Sequence, residues 1–391
     1  MTKSALKNAH PPENHVVFDL SAILNYPIQL VVNNWHSDRP LRWLSKNDDG
    51  IVAEGSFLEA PGLPLFTLED CKGTRLSDDI PEGILAIARL MPAMDFEIAQ
   101  ACAASEAAVQ LAESSPLLFI LLVNYTRRQQ LSVEKFEHLI ALRRTAILER
   151  IGLPASKSVV RLINRIELSP LLPWELDDVV RSLAQPEFRS LLSHHPSLHL
   201  NHLRFLLRQR QPLWPGMLHL VDKHSSALDL TWLCRMIRDT LNMAAGNERV
   251  LAGVSSRQAL QELHDRLVER FNRSHGRNSS AERVAVAAKL AQEHGNYPAP
   301  PIPAIEGIEP LMSWLALLEE GASMHHCVGT YHVSVANNEA FIYRMTHPER
   351  LTISLEYRNN RWVVGEVRRY CNANPSPGAL DVVRRWVERF R

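Results

Sequence analysis

Hydrophobic positions along the chain change period twice. Residues 1–14 are polar and carry the pair Pro11-Pro12, which reads as a loose leader. From Val16 to about Phe66 the apolar residues come in short β-branched or aromatic runs. These are Val16-Val17-Phe18, Ile28 to Val32, Leu41 to Leu44 and Ile51 to Ala53. Asp48-Asp49-Gly50 separates the last two, and Asp-Gly between apolar runs is a strong hairpin signal. A small β-rich module over residues 1–80 is the expectation.

From about Pro81 to Glu293 the period becomes helical. Ile84, Ile87, Leu90 and Met91 fall on one helix face, as do Leu139, Leu142, Ile147 and Ile151. Ser132 and Ser156 stand where N-caps belong, and Gly152-Leu153-Pro154 closes the helix before it. Prolines 173, 186, 196, 212 and 215 then punctuate short segments. No repeat is clean enough for a named solenoid, so an irregular α-helical array over 81–294 is expected. Residues 272–282 read as a loop inside it. The Pro-rich stretch 295–310 reads as a strap and the main domain boundary.

The last part, 311–391, reads as α-α-β-β-β-α. Leu311–Glu320 forms a helix with Gly321 as its C-cap, and 325–336 a second helix. Ala340–Met345, Leu351–Tyr357 and Arg361–Tyr370 alternate like three strands of an antiparallel meander, with a turn at Asn359-Asn360. Pro377 to Phe390 closes as an amphipathic helix. The fold class is therefore α+β.

Composition changes this picture little. The 391 residues are 46% hydrophobic and 22% charged with zero formal net charge, ordinary for a soluble globular chain. The charge is uneven. Residues 1–80 hold seven basic against eleven acidic side chains, and 321–391 ten arginines against six acids. Arginine suits planar pairing with carboxylate or phosphate. The five cysteines (71, 102, 234, 327 and 371) form no C-x-x-C pair, which fits a reducing cytoplasm rather than a disulfide framework or zinc ribbon. No apolar leader segment and no apolar run long enough to span a bilayer stand in the sequence, so no membrane partner is expected.

Two groups of residues carry candidate chemistry. Basic residues punctuate the helical block: Arg127-Arg128, Arg143-Arg144, Arg204, Arg208 and Arg210, with Phe205 and Trp214 interleaved. Arg204 and Arg208 share a helix face and would track phosphate, although solvated arginines paired to acids are the commoner case. His194, His195, His199 and His202 invite a metal reading, but Pro196 interrupts them and no Cys or carboxylate stands at ligand spacing. No metal and no cofactor are expected. The second group is Met324-His325-His326-Cys327-Val328-Gly329-Thr330-Tyr331. A thiol in the first turn of a helix would be stabilised as thiolate. A thiol hydrolase also needs a histidine base from a strand, and the three strands hold none. A second scheme uses His326, Tyr331 and Glu356 as acid/base and positioning groups, on a polar sheet face shared by Thr352, Ser354 and Glu356. The alternative is structural, with Cys327 a small buried hydrophobe.

The motif His326-Cys327-Val328-Gly329-x-Tyr331, the strand Thr352-Ile353-Ser354-Leu355-Glu356 and the run Arg368 to Pro375 before a Trp-bearing helix resemble the PcfJ-like family. So do Arg143-Arg144 to Pro154 and Arg161 to Ile166, which extends the likeness over roughly 125–391. The family pattern has Gln-x-Arg-Gly after the third strand, where this chain has Glu366-Val367-Arg368-Arg369. The resemblance implies a link to mobile genetic elements. Three readings follow. The first is a nucleic-acid-associated protein touching RNA or DNA phosphate through Arg143, Arg144, Arg204, Arg208, Arg368, Arg369 and Asn372. The second is an enzyme on a nucleotide or RNA using His326, Cys327, Tyr331 and Glu356. The third is a scaffold whose helical array holds a protein partner.

Overall fold

The structure is a computed structural model. It describes residues 15–69, 73, 75–209, 212–277, 279–358 and 360–390. The leader 1–14, Cys71, Arg210 and Asn359 lie outside the described residues. The chain forms two compact units, Met1–Arg210 and Gln211–Arg391.

The first unit opens with an antiparallel meander, β1 (His15–Asp19), β2 (Gln29–Asn33), β3 (Trp43–Asn47) and β4 (Gly50–Gly55), with the short helix α1 (Ser21–Leu24) between β1 and β2. Asn47 pairs with Gly50 across the expected hairpin, and Gly50 takes a φ of 130° that side chains resist. Ten helices follow: α2 (Glu82–Arg89), α3 (Asp95–Ala104), α4 (Glu106–Ser114), α5 (Pro116–Arg128), α6 (Val133–Ile140), α7 (Arg144–Arg150), α8 (Lys157–Arg165), α9 (Pro173–Ala184), α10 (Pro186–His194) and α11 (Leu200–Gln209). The two-residue strands β5 (Ile166–Glu167) and β6 (Leu198–His199) pair in parallel among them. Ser132 and Ser156 cap α6 and α8 as the sequence suggests, each accepting from the amide three residues on. Ile84, Ile87, Met91 and Ile147 are buried, which is the periodicity made real.

The second unit begins with α12 (Ala227–Met243), α13 (Arg257–Arg277) and α14 (Ser280–His294). The loop expected over 272–282 is largely helical: α13 runs on to Arg277 and α14 restarts at a capping box of Ser279 and Glu282. Then come β7 (Ile308–Pro310), α15 (Trp314–Met324), α16 (His332–Ala336), β8 (Ala340–Met345), β9 (Leu351–Arg358), β10 (Arg361–Arg368) and α17 (Pro377–Arg389). The meander is antiparallel, as read, but it has four strands in the order β10-β9-β8-β7. β7 comes from the Pro-rich strap. The strap is tied down elsewhere too: Tyr343 Oη donates to the Ile302 carbonyl at 2.7 Å, and Trp386 Nε1 to Pro303 at 3.3 Å.

Two corrections concern the motif region. Gly321 is not a C-cap. It lies inside α15, which ends at His325 in the left-handed region (φ 52°, ψ 50°). Gly321 is needed for closeness instead, since a Cβ there would stand 3.0 Å from the His326 carbonyl and 3.2 Å from the Gly329 amide. The helix expected over 325–336 is broken into a single 3-10 turn, Cys327–Thr330, and the short α16. Cys327 therefore has no helix dipole of useful length behind it.

Alternation in the sheet puts Phe341, Tyr343, Met345, Ile353, Leu355 and Val367 on one face, packed with Val383, Trp386 and Val387 of α17. Ile342, Arg344, Thr352, Ser354, Glu356, Glu366 and Arg368 occupy the other. That polar face is partly covered by α15, the 327–330 turn and α12 through the bonds described next, and Glu366 and Arg368 at its β10 edge stay part-exposed.

Candidate functional site

The polar face carries two clusters. The first surrounds Glu320 of α15, whose carboxylate is fully buried. It accepts from Arg344 Nε at 2.7 Å, from Arg350 at 2.6 and 2.8 Å, and from Thr352 Oγ1 at 2.5 Å. Thr352 Oγ1, having donated to Glu320, takes its remaining bond from His326 Nε2 at 2.9 Å. Burial pushes the Glu320 carboxyl upward, but the Arg350, Thr352 and Arg344 bonds outweigh it and hold it below the usual range. Burial drives His326 down to about 4, with Glu320 opposing. His326 is thus a neutral ring whose Nε2 hydrogen is committed to a threonine. It does not act on Cys327.

The second cluster centres on Asp239, a residue the sequence reading passed over. α12 is opened by a capping box in which Ser226 and Asp229 exchange bonds of 3.1 and 2.7 Å. It buries Leu230, Leu233, Ile237 and Thr240, and Asp239 falls beside that apolar face. Tyr331 Oη donates to Asp239 Oδ2 at 3.0 Å, and the Cys327 thiol approaches the same oxygen at 3.8 Å. Oδ1 is buried with no hydrogen bond; the Arg238 Nε is 3.8 Å away. Burial raises the Asp239 carboxyl, against the pull of Arg238 and Tyr331. Burial and the Asp239 carboxylate then push both the Cys327 thiol and the Tyr331 hydroxyl well above their ordinary values. The thiolate that a helix start would have favoured is disfavoured here, because two carboxylates, Asp239 and Glu366, face the sulfur.

Asp239 and Cys327 line a cleft of about 600 Å³. One wall is the α12 stripe Leu228, Trp232, Arg235, Met236 and Asp239, at helical spacing. α13 adds Gln261 and the buried His264, whose Nδ1 lies 3.2 Å from Asp265 Oδ1. β10 adds Glu366 and Arg368, and the following turn adds Cys371, Asn372 and Asn374. Cys371 and Asn372 are both left-handed, at φ 53° and 57°, an arrangement that costs energy for cysteine. Behind Cys327 a second cavity of about 40 Å³, room for roughly one water, is lined by His326, Tyr331, Thr352 and Ser354. The Ser354 hydroxyl is buried there without a partner.

The arginines of this region are already engaged. Arg235 reaches Glu356 Oε1 at 2.6 Å, Glu366 Oε1 at 3.4 Å and the Gly365 carbonyl at 3.1 Å. Glu356 also holds Arg358 at 2.8 Å, so it is an ion-pair anchor between strand and helix. Arg368 bonds Asn374 at 2.9 Å, and Arg369 pairs with Glu349 at 2.8 Å. Of the residues named from sequence, Cys327 and Tyr331 meet at Asp239, Arg368 and Asn372 line the same cleft, Glu356 is linked to it through Arg235, and His326 stands behind. Arg369 points elsewhere.

In the first unit, Arg144 bonds Ser114 at 2.7 Å and Arg143 is exposed beside it. Arg204 pairs with the buried Glu175 and bonds Asn201 at 2.6 Å. Arg204 and Arg208 line a groove of about 840 Å³ with Arg128, Arg181, Asp177, Asp178, Leu207 and Trp174. Trp174 is 61% exposed, whereas Phe205 and Trp214, the aromatics singled out from sequence, are core. The histidine cluster packs ring on ring, His199 to His202 at 3.7 Å and His195 to His202 at 4.6 Å. Among the described residues no group of three His, Cys, Asp or Glu side chains could hold a metal ion, and no helix is long and apolar enough to cross a membrane.

The family model described as PcfJ-like protein matches residues 236–381. The match takes in the C-terminal part of α12 from Met236, the motif turn, all four strands of the second sheet and the start of α17. It begins well after the Arg143 to Ile166 stretch, so the likeness read there lies outside it. No curated protein and no solved structure matches the chain.

Proposed function

We propose that this PcfJ-like chain associates with nucleic acid, taking single-stranded RNA or DNA in the groove of its first unit. The observation that carries the reading is Trp174, largely exposed, in a groove holding Arg128, Arg181, Arg204 and Arg208. An exposed indole offers a stacking platform to any base, and guanidinium groups beside it offer partners to the backbone. Asp177, Asp178 and the buried Glu175 pair with Arg128, Arg181 and Arg204 and offset much of that charge. The groove therefore suits a ligand that contributes stacking as well as phosphate, which a paired duplex cannot. The PcfJ-like likeness supports a setting among mobile genetic elements.

Fluorescence anisotropy with labelled single-stranded and hairpin oligonucleotides across a salt series tests this. Single strands should bind better, with a log–log salt slope of about −0.7 per phosphate contacted. Trp174→Ala should cost about 1–3 kcal/mol. Binding that ignores salt, or that survives Trp174→Ala unchanged, would overturn the reading.

A further inference from the structure

The outer face of α7 and α8 in the first unit has features that the groove reading does not use. Residues 143–165 hold Arg143, Arg144, Arg150, Lys157, Arg161 and Arg165 against one acid, Glu149, a net of +5 in a chain whose formal net charge is zero. Arg144 donates to Ser114, and Arg165 to the Ser193 and His195 carbonyls. The exposed Arg143, Arg150, Lys157 and Arg161 pair with no carboxylate among the described residues; the ion pairs of the first unit lie elsewhere. Helix stability does not explain these cations. Arg143 and Arg144 open α7 and Lys157 opens α8, where the macrodipole disfavours positive charge, and neither helix has an acid in its first turn. Packing holds them outward: α7 buries Ile147 and Leu148, and α8 buries Val159, Leu162 and Ile163. Arg143 and Arg150 are seven residues apart, Lys157 and Arg161 four, so each pair shares one side of its helix. The stretch contains no aromatic residue, and none of its large apolar side chains is exposed.

We infer that this face of α7 and α8 is a docking surface for the sugar-phosphate backbone of double-stranded nucleic acid, separate from the single-strand groove. Four unpaired cations on packed helices offer counter-charges to phosphate, and the release of condensed counterions drives such binding. With no aromatic ring the face gives a base nothing to stack on, and a duplex needs nothing of the kind, because its phosphates lie outside and its bases are already stacked. The groove has the opposite properties: Trp174 is exposed there, and acids pair with its arginines. An anionic membrane carries the same charge as a duplex, but helices that lie on lipid present large apolar side chains to it, and this face exposes none. Backbone contacts carry no sequence information, so binding is indifferent to sequence. The inference is independent of the groove reading, since it rests on different residues and a different form of nucleic acid.

Fluorescence anisotropy of the full chain with labelled blunt-ended DNA duplexes of unrelated sequence, across a salt series, tests it. Four phosphate contacts give a log–log salt slope of about −3.6, which is about a hundredfold weaker binding at 200 mM than at 50 mM salt. Lys157→Gln with Arg161→Gln, and separately Arg143→Gln with Arg150→Gln, should each make the slope shallower by about 1.8. Arg39→Gln with Arg249→Gln removes two exposed arginines elsewhere and should leave the slope as it was. Trp174→Ala should weaken single strands and spare the duplex. No salt-dependent duplex binding, slopes that neither α7–α8 pair changes, or a control pair that lowers the slope as much would each overturn the inference. So would duplex binding that Trp174→Ala abolishes, or binding to phosphatidylserine vesicles without binding to the duplex. A duplex held through α7 and α8, with single strands indifferent to Trp174→Ala, would sustain this inference and sink the groove reading alone. Thermal melting followed by circular dichroism checks that the variants fold.

Discussion

Glu320 and Asp239 are two carboxylates buried under the same sheet face, and they end in opposite states. Glu320 is fully buried yet held below the ordinary carboxylate range, since two arginines and a threonine donate to it. Asp239 is 6% exposed and raised, because burial outweighs the pull of Arg238 and the single bond from Tyr331. Burial alone did not decide between them; the supply of donors did. A carboxylate whose partners come from its own fold is a structural anchor. One left short of partners is a carboxylate whose burial the fold has not repaid in full.

The anchor should be the costlier to disturb. Glu320→Gln puts an amide NH2 against Arg344 and Arg350 and breaks a buried network. Both arginines keep some contact with water, so about 3 kcal/mol is expected, the low end for breaking a buried ion pair. Asp239→Asn should cost nothing at neutral pH, and chemical denaturation compares the two directly. Equal losses would remove the distinction between the two carboxylates.

His326 sharpens the same contrast through pH. It donates into the Glu320 network as a neutral ring, and its value in the fold is about 4 against 6.5 for the free side chain. A group depressed on folding lends stability above its unfolded value and loses it as pH falls through the folded one. The second unit should therefore weaken between about pH 6.5 and pH 4, by up to about 3 kcal/mol from this ring. Hydrogen exchange at β9 amides reads the loss. His326→Gln, which keeps a donor for Thr352, should flatten that part of the profile.

Much of the fold was legible because its signals are local. Ser132, Ser156 and Asp49-Gly50 act within a few residues of themselves, and the caps and the hairpin are where those residues put them. Alternation marked β8, β9 and β10 for the same reason. What escaped notice depends on distant partners. β7 is three residues of a proline-rich strap that become a strand only because β8 offers an edge. The break at His325 follows from α15 lying against the 327–330 turn, which Gly321 permits and no helix propensity reports. The site was half legible. A thiol, an imidazole and a tyrosine within six residues stood out, but the residue that joins two of them, Asp239, lies 88 positions before Cys327. Its only signal was an acid beside the apolar face of a helix. Trp174 gave less, since exposure of one tryptophan and burial of Phe205 and Trp214 are decided by packing.

Asp239 also gives a prediction in the opposite direction from His326. A group raised on folding lends stability below its unfolded value and loses it as pH climbs through the folded one. Replacing it by asparagine removes that loss. Asp239→Asn should be no less stable than the parent at neutral pH, and its advantage should grow as pH rises above the ordinary carboxylate range. Paired melting curves over a pH series show the trend; a variant that falls behind as pH rises would place Asp239 among the anchors.

The smallest effect is on the rate of a reaction at sulfur. Cys327 faces Asp239 and Glu366, and burial with those two charges keeps its thiol protonated. Cys371, on the same cleft, is exposed. Iodoacetamide reacts with the thiolate, so Cys371 should be alkylated first at neutral pH and Cys327 about tenfold or more slowly. Mass spectrometry of the two peptides over time follows both sites in one sample. Asp239→Asn removes one of the opposing charges and should speed Cys327 while leaving Cys371 unchanged. That selective gain separates the carboxylate's field from mere inaccessibility, since asparagine and aspartate fill the same space. A Cys327 that outpaces Cys371 in the parent protein would instead mean a stabilised thiolate and would return the thiol to the role of nucleophile.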